Sequence, residues 1–213
     1  MVEPSVYHEG VRTEVVEFIP QKYSKVLEIG CGKGGFRANV SNNCEYWGVE
    51  PYKDVANIAK NKLDKVLVGT FDDVFNELPD NYFDLIICND VIEHMTDHHT
   101  FYNKIKSKCE KNAYMIGSIP NVRFIRNLYE VLIKKDWEYK EEGILDKTHL
   151  RFFTLSSIKR DFLNNQFNIE KLYGINKISF SKRTFSGLKM ILFQFLLGGD
   201  TKFLQFGFRV KLR

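Results

Sequence analysis

A glycine-rich turn after an apolar strand constrains the fold of this chain most. Residues 25–36 read KVLEIGCGKGGF, in which the apolar run at 25–29 predicts a buried strand. Four glycines follow, at positions 30, 32, 34 and 35. Glycine adopts positive φ angles and lets a ligand approach the backbone, and a helix start supplies free N–H groups to that ligand. The pattern therefore predicts a strand–turn–helix unit with a ligand-binding turn.

The rest of the chain alternates between strand-like and helix-like segments. We predict further strands at 46–49, 65–68, 83–88, 113–119, 167–172 and 202–212. We predict helices at 11–19, from 37 onward, and at 55–63, 98–109, 155–163 and 188–197. This order favours an α/β fold with a doubly wound, Rossmann-like sheet. Residues 121–151 are charged and aromatic and break the alternation, which indicates a lid or insertion after the fifth strand.

A length of 213 residues fits one domain. We divide it into an N-terminal helical cap (1–23), a ligand-binding core (24–120), a lid segment (121–154) and a C-terminal part that completes the sheet (155–213). Charge is uneven: residues 1–149 carry 19 Lys and Arg against 24 Asp and Glu, and residues 150–213 carry 12 against 3. The net charge of +4 is too small to predict nucleic-acid binding. The basic, apolar segment 182–197 is interpreted as a solvated helix, an oligomer contact or a peripheral membrane contact.

The cysteines and the N-terminal sequence bear on the cellular location of the protein and on metal binding. The four cysteines form no C-x-x-C pair, so we expect no metal site. No basic-then-apolar leader pattern opens the sequence, and no run of about eighteen apolar residues occurs. These features predict a cytoplasmic protein in a reducing compartment.

Two carboxylates narrow the ligand of the glycine turn. Glu50 follows Gly30 by twenty residues and ends the second predicted strand, where a carboxylate can accept hydrogen bonds from ribose hydroxyls. Residues 30–35 also satisfy the dinucleotide pattern G-x-G-x-x-G, which leaves a NAD-dependent oxidoreductase as an alternative. Glu28 disfavours the oxidoreductase alternative, because a carboxylate would repel the pyrophosphate of NAD. The same carboxylate suits a ligand with an ammonium or sulfonium group.

The segment EIGCGKG at 28–34 resembles the first motif of class I S-adenosylmethionine-dependent methyltransferases. This resemblance extends over about residues 24–120 and implies a seven-stranded sheet whose last strand is antiparallel. It also implies S-adenosylmethionine as cofactor and S-adenosylhomocysteine as product. The cofactor contacts that it implies are Glu28, Gly30, Cys31, Gly32, Glu50, Pro51, Phe71, Asp72, Asn89, Asp90 and Val91. Arg12 lies in the N-terminal region that packs over the cofactor in similar proteins, and it is either a further cofactor contact or part of a solvated helix face. Residues 69–72 read GTFD where the family often has Gly-Asp, so the adenine-binding acid is Asp72 or is displaced.

A narrower resemblance concerns the acceptor. The segment GILDKTHLRFFT at 143–154 and the segment SIPN at 118–121 are similar to small methyltransferases found beside glycosyltransferases and polysaccharide-assembly enzymes. This similarity implies a small, sugar-derived acceptor that is methylated on oxygen or nitrogen. A non-catalytic, methyltransferase-like subunit that binds a partner is the remaining alternative.

Two histidines are candidate general bases. A hydroxyl acceptor benefits from a base near neutral pH, and imidazole has the suitable pKa. His94 follows the fourth predicted strand, and His149 lies in the lid segment. For each of them, a hydrogen bond that orders a loop is an equally good interpretation.

Overall fold

The fold is built on one seven-stranded sheet. A computed structural model describes residues 10–212 of the chain. The strands are β1 (Lys25–Ile29), β2 (Glu45–Glu50), β3 (Lys65–Val68), β4 (Phe83–Asn89), β5 (Cys109–Pro120), β6 (Asn168–Lys177) and β7 (Phe203–Lys211). Their order across the sheet is β3-β2-β1-β4-β5-β7-β6, and the first five are parallel. The predicted doubly wound, Rossmann-like α/β fold is confirmed.

Helices cover the sheet. The α-helices are α1 (Lys53–Ala59), α2 (Phe71–Val74), α3 (His98–Lys108), α4 (Ile125–Tyr129), α5 (Leu155–Asn164) and α6 (Phe185–Leu197). Short 3-10 helices lie at Thr13–Phe18, Gly35–Asn39, Phe75–Glu77, Ile92–His94 and Gly199–Lys202, and a π-helical turn lies at Glu130–Lys134. Because β1 and β4 are central, their side chains are buried on both faces, which explains the continuous apolar run of β4.

The last strand runs antiparallel, as predicted. β7 pairs antiparallel with β5 on one side and with β6 on the other. The central strands end together at the edge where the order reverses between β1 and β4, and a doubly wound sheet binds its ligand at such an edge.

Two predicted helices are shorter and tighter than the sequence indicated. The apolar spacing at 11–19 produces a 3-10 helix, Thr13–Phe18, that follows Arg12 in the left-handed conformation. The helix predicted from residue 37 is a 3-10 helix, Gly35–Asn39. The part of the predicted N-terminal cap before residue 10 lies outside the described residues.

The lid segment (121–154) packs apart from the main core. Phe124, Ile125, Ile144 and Leu145 form a separate apolar cluster, to which α6 adds side chains. Asn121 fastens the start of the segment, because its amide donates to the carbonyls of Asp200 (3.0 Å) and Phe203 (2.9 Å). Within residues 10–212, no helix combines the length and the apolarity that crossing a bilayer requires.

Candidate active site

The glycine turn has the backbone geometry that the sequence predicted. Gly30, Gly32 and Gly34 adopt φ angles of 69°, 53° and 71°. The N–H of Gly30 donates to the carbonyl of Val49 at 2.8 Å, which ties the turn to β2. A Cβ atom on Gly30 would lie 2.8 Å from Cγ2 of Val91, so the turn and the end of β4 approach each other closely. Only glycine meets both requirements at position 30.

Glu50 is a preorganised acceptor at the end of β2. Its carboxylate accepts from the N–H of Gly32 at 2.9 Å and from the N–H of Tyr52 at 3.0 Å. The residue is only 2% exposed, so these two bonds hold a carboxylate that is almost removed from water. Each oxygen keeps a second acceptor site, which allows it to accept from the hydroxyls of a ribose. Pro51 is exposed directly beside it.

Glu28 lies buried behind the turn. The hydroxyl of Tyr46 donates to its carboxylate at 2.9 Å. Burial raises the pKa of Glu28 to about 8; Glu50 also raises it, while Tyr46 and Arg12 oppose the change. A cation nearby would favour the ionised form of both carboxylates. Cys31 is buried under the same turn, where burial raises its pKa and leaves it a packing residue.

The opposite wall is the end of β4. Asn89 has both polar atoms of its amide buried without a hydrogen-bond partner among the described residues. Buried amides are normally paired, so this side chain is suited to bind a polar ligand. Val91 covers Gly30, and the backbone N–H of Asp90 donates to the carbonyl of Ser118 at 3.0 Å. With the two glutamates and the glycine turn, this wall fits a nucleoside that carries a cation.

Arg12 closes one end of the site through Asp90. Its guanidinium donates to Asp90 at 2.7 Å and to the hydroxyl of Ser118 at 2.8 Å. That hydroxyl donates in turn to Asp90 at 2.7 Å, and Gln205 of β7 also donates to Asp90. Arg12 is a predicted cofactor contact, and the structure pairs it with Asp90 of the chain itself. A direct contact between Arg12 and the cofactor stays a prediction.

Phe71 and Asp72 are placed differently from the glutamates. Phe71 packs in the core, with its ring 5.0 Å from Phe101 and 5.7 Å from Phe75, centre to centre. The side chain of Asp72 is 70% exposed and pairs with Lys104 at 2.7 Å. Among the described residues, neither of these side chains forms a hydrogen bond or ion pair with Glu50. Their predicted contacts with adenine therefore stay predictions.

The two predicted histidines lie together, beside a residue that sequence reasoning missed. The rings of His94 and His149 are 4.7 Å apart, centre to centre, and nearly perpendicular. Burial lowers the pKa of His94, and His149 lowers it further. The missed residue is Glu93, which is 1% exposed and lies 3.9 Å from Nε2 of His149. Its position directly before His94 is the signal that could have indicated it.

The lid segment encloses a cavity of about 340 Å³. Aromatic, polar and charged side chains line it: Phe124, Arg126, Asn127, Glu130, Asp136, Glu138, Lys140, Glu142, Ile144, Leu145 and Leu204. The carbonyl of Ile144 accepts from Nδ1 of His149 at 3.0 Å, so one residue connects this cavity to the histidine pair. Trp137 and Tyr139, which flank Phe152 nearby, are among the exposed large side chains.

Comparison with known proteins supports the methyltransferase class that the sequence motifs resemble. Residues 7–172 match the family described as "Methyltransferase domain". The chain is 29% identical over 120 residues to (S)-tetrahydroprotoberberine N-methyltransferase of Eschscholzia californica, covering 53% of this chain and 34% of that enzyme. It is 32% identical over 125 residues to phosphoethanolamine N-methyltransferase of Plasmodium falciparum, covering 55% and 44%. The chain thus spans less than half the length of these two relatives.

The solved structures agree on the fold. A SAM-dependent methyltransferase from Archaeoglobus fulgidus superposes with a TM-score of 0.62 at 19% identity, covering 90% of this chain and 87% of the other. At that identity the likeness concerns the fold alone. Together with the family match, it favours S-adenosylmethionine over the nicotinamide alternative that the glycine pattern left open. The chain belongs to the methyltransferase-domain family and has the Rossmann-like, class I fold of S-adenosylmethionine-dependent enzymes.

Proposed function

We propose that this chain transfers a methyl group from S-adenosylmethionine to an oxygen or nitrogen of a small, sugar-derived acceptor. The observation that carries the first half is the pair of carboxylates at the glycine turn. Glu50 is oriented by two backbone N–H groups, and Glu28 is buried behind the turn. Glu50 suits a ligand with a ribose, and Glu28, whose ionised form a nearby cation favours, suits a ligand with a positive charge.

Methyl transfer from a sulfonium requires mainly that the protein position the two reactants. When bound, S-adenosylmethionine supplies a methyl group on a sulfonium centre, which is already a good leaving group. The chain's residues then have to align an acceptor and exclude water. The glycine turn and the end of β4 would hold the cofactor, and the lid segment would cover the acceptor. His94, with a lowered pKa, is neutral at pH 7 and is suited to accept a proton.

The acceptor proposal rests on the lid cavity. It combines the ring of Phe124 and aliphatic side chains with carboxylates, an amide and basic groups, and the polar groups can bind hydroxyls through directed hydrogen bonds. The exposed rings of Trp137 and Tyr139 offer stacking surfaces for a sugar ring nearby. Both curated relatives named above are N-methyltransferases, which keeps nitrogen as an alternative acceptor atom.

A screen with labelled S-adenosylmethionine tests this proposal. Sugar nucleotides, free sugars and small amines are incubated with the protein, and label transfer is measured. We expect transfer to a sugar-derived compound and a severalfold higher KM in Trp137→Ala. Leu132→Ala, which alters an exposed apolar side chain on the π-helical turn and removes no ring on which a sugar could stack, is the matched control. Transfer to amines alone would refute the sugar-derived acceptor. Cofactor binding without transfer to any compound would instead favour a non-catalytic subunit.

We further propose that α6 contacts an anionic membrane surface. One face of α6 exposes apolar side chains at helical spacing: Phe185, Leu188, Leu192, Phe195 and Leu196. The opposite face contributes Met190, Phe193 and Leu197 to the lid cluster, so the exposed face is not needed for packing. Residues 171–199 contain no Asp or Glu but include Lys177, Lys182, Arg183 and Lys189. An apolar face flanked by bases is typical of a helix that lies in a lipid interface.

Flotation with vesicles tests the membrane contact. The protein should float with vesicles rich in phosphatidylserine but not with phosphatidylcholine vesicles, and 0.5 M salt should weaken the binding. Phe195→Glu should abolish flotation, while Leu163→Glu, an exposed apolar position on α5, should retain it. Concentration-dependent dimerisation that Phe195→Glu abolishes, without flotation, would show an oligomer contact instead.

A further inference from the structure

Glu93 is a buried carboxylate without a partner. It lies in the 3-10 helix Ile92–His94 that follows β4, and it is 1% exposed. Neither of its side-chain oxygens has a hydrogen-bond partner among the described residues. Burying an unpaired carboxylate is strongly unfavourable, so such a group either takes up a proton or pairs with a cation, and burial raises the pKa of Glu93 well above its ordinary value.

The imidazole of His149 presents a lone pair to this carboxylate. Its Nδ1 lies 3.0 Å from the carbonyl oxygen of Ile144, and a carbonyl only accepts, so Nδ1 carries the hydrogen. Nε2 of the neutral ring is therefore an acceptor. It lies 3.9 Å from Oε1 of Glu93, which is too long for a hydrogen bond. When Glu93 is ionised, two acceptor atoms therefore face each other in a buried place, an arrangement that a shared cation satisfies.

His94 also carries its ring hydrogen on Nδ1, and different hydrogen bonds fix this tautomer. Its Nδ1 lies 3.2 Å from the carbonyl oxygen of Thr148 and 3.1 Å from the hydroxyl of the same residue. That hydroxyl donates its single hydrogen to Asp146 at 2.6 Å, so it accepts from the ring. Nδ1 is again the donor, and Nε2 keeps the lone pair. Metal-binding histidines typically fix their tautomer in this way, through a backbone carbonyl on the other ring nitrogen.

The three groups converge on one point. One ligand atom from each of Glu93, His94 and His149 can be chosen so that all three lie within 4.8 Å of one another. Ligands about 2.0–2.2 Å from one tetrahedral ion lie about 3.3–3.6 Å apart, so the ligand atoms have to approach one another by up to about 1.5 Å when the ion binds. The backbone is fixed for this purpose, because the N–H groups of Leu150 and Arg151 donate to the carbonyl of Glu93 at 2.9 and 3.0 Å.

A second cluster within residues 10–212 contains a carboxylate that has hydrogen-bond partners within the chain. It consists of His98, His99 and Asp161. There, Nε2 of His98 lies 3.2 Å from the Asp161 carboxylate, and the hydroxyl of Tyr102 donates to it at 3.1 Å. Direct hydrogen bonds satisfy that carboxylate, and one of its histidines is exposed. The carboxylate of this cluster is therefore satisfied without an ion, in contrast to that of Glu93, and the buried unpaired atom in the cluster is Nδ1 of His98.

We propose that Glu93, His94 and His149 bind one divalent first-row transition-metal ion, of the class that includes Zn²⁺, Co²⁺ and Mn²⁺. Two imidazoles and one carboxylate are ligands that such ions accept, and three protein ligands leave coordination positions open. The lone cysteines, from which the sequence predicted no metal site, take no part. If the proposed function holds, the open positions bind hydroxyl oxygens of the acceptor, which favours oxygen as the methylated atom. His94 then holds the ion, and the ion, by lowering the pKa of the hydroxyl, replaces His94 as the group that promotes its deprotonation.

Cobalt titration tests the site in the absence of cofactor and acceptor. Chelator-treated full-length protein is titrated with Co²⁺ and followed by visible absorption and calorimetry. We expect one Co²⁺ per chain, displaced by Zn²⁺. Glu93→Gln and His94→Ala should each weaken the affinity at least about tenfold. His99→Ala removes an imidazole from the second cluster and should bind Co²⁺ like the wild type.

Circular dichroism and S-adenosylhomocysteine binding, measured on every variant, separate a lost metal site from a lost fold. A folded wild type that takes up no Co²⁺ would overturn the proposal, and so would uptake that His99→Ala abolishes. Uptake that Glu93→Gln leaves unchanged would also overturn it. Since the titration contains no cofactor, its failure leaves the proposed methyl transfer standing, and failed S-adenosylhomocysteine binding leaves the metal site standing.

Discussion

Replacement of Gly30 by alanine perturbs the glycine turn in two separable ways. The residue has a φ angle of 69°, a conformation that L-residues with a side chain rarely adopt. The new Cβ would also lie 2.8 Å from Cγ2 of Val91. Real Cβ contacts are longer, so Val91 has to move, and its branched side chain has few alternative rotamers.

The two effects have different magnitudes. The left-handed backbone costs an alanine about 1–2 kcal/mol. Relief of the clash with Val91 costs about 1–3 kcal/mol, as for other overpacked sites. Gly30→Ala should thus lower the free energy of unfolding by about 2–5 kcal/mol. For a chain of this size each kcal/mol lowers Tm by about 2–4 °C.

Two other glycines provide matched controls. Gly143 has a φ angle of 89°, and a Cβ there would meet nothing within 4 Å, so Gly143→Ala carries only the backbone penalty. Gly199 has no positive φ and equally free surroundings, so Gly199→Ala carries neither penalty. Urea unfolding should therefore rank the free energies of unfolding as Gly199→Ala, then Gly143→Ala, then Gly30→Ala.

The same series separates stability from binding. Gly30→Ala should also weaken S-adenosylhomocysteine binding, since the turn contacts the proposed ligand, while Gly143→Ala should not. Adding Val91→Ala to Gly30→Ala should recover part of the lost stability but not the backbone part. The reasoning is refuted if Gly30→Ala and Gly199→Ala unfold within about 0.5 kcal/mol of each other, the range of neutral surface changes.

Further predictions concern charged groups around the site. Because burial raises the pKa of Glu28 to about 8 from an ordinary 4.5, the folded chain holds a proton that the unfolded chain releases. The free energy of unfolding should therefore fall as the pH rises from about 4.5 to about 8. In urea unfolding, Glu28→Gln should flatten this pH dependence, and an equal slope in the variant would contradict the raised pKa of Glu28. Arg12→Ala leaves Asp90 with only its bonds to Ser118 and Gln205, so it should lower the free energy of unfolding by about 1–3 kcal/mol, measured at pH 7 against Arg37→Ala. An Arg12 variant as stable as the wild type would show that the pair contributes nothing. His149→Ala should reduce turnover far more than S-adenosylmethionine affinity; equal losses in both would mark His149 as purely structural.

Much of the fold could be predicted because local pattern and tertiary role coincide. The bounds of β1 and β3 match the predicted runs, since short apolar strands between turn residues have few alternatives. The helix at 98–109 is confirmed because Asp97 caps it by accepting from the N–H of Thr100. The predicted helix at 11–19 is instead a 3-10 helix, because Arg12 turns into the left-handed region to reach Asp90.

The site was less predictable because its decisive contacts are distant in sequence. Glu28 and Glu50 follow from the spacing of the glycine motif, and the structure places both at the turn. The partner of Arg12 lies 78 residues away, and the partner of His94 lies 54 residues away, so no local pattern indicates either. Glu93 reads as an ordinary charged residue in sequence, and the lid residues that bond to its backbone in the buried site, Leu150 and Arg151, are distant from it along the chain.

Calorimetric titration with S-adenosylhomocysteine tests the central claim most directly. The wild type should bind one molecule per chain and give no heat with NAD. Glu50→Ala should weaken the binding by about 1–3 kcal/mol, because a buried acceptor of ribose hydroxyls is lost. Glu45→Ala, at the opposite end of β2 and bonded to Trp47 and Tyr82, should bind like the wild type. Tight NAD binding without S-adenosylhomocysteine binding, or an affinity that Glu50→Ala leaves unchanged, would contradict the account.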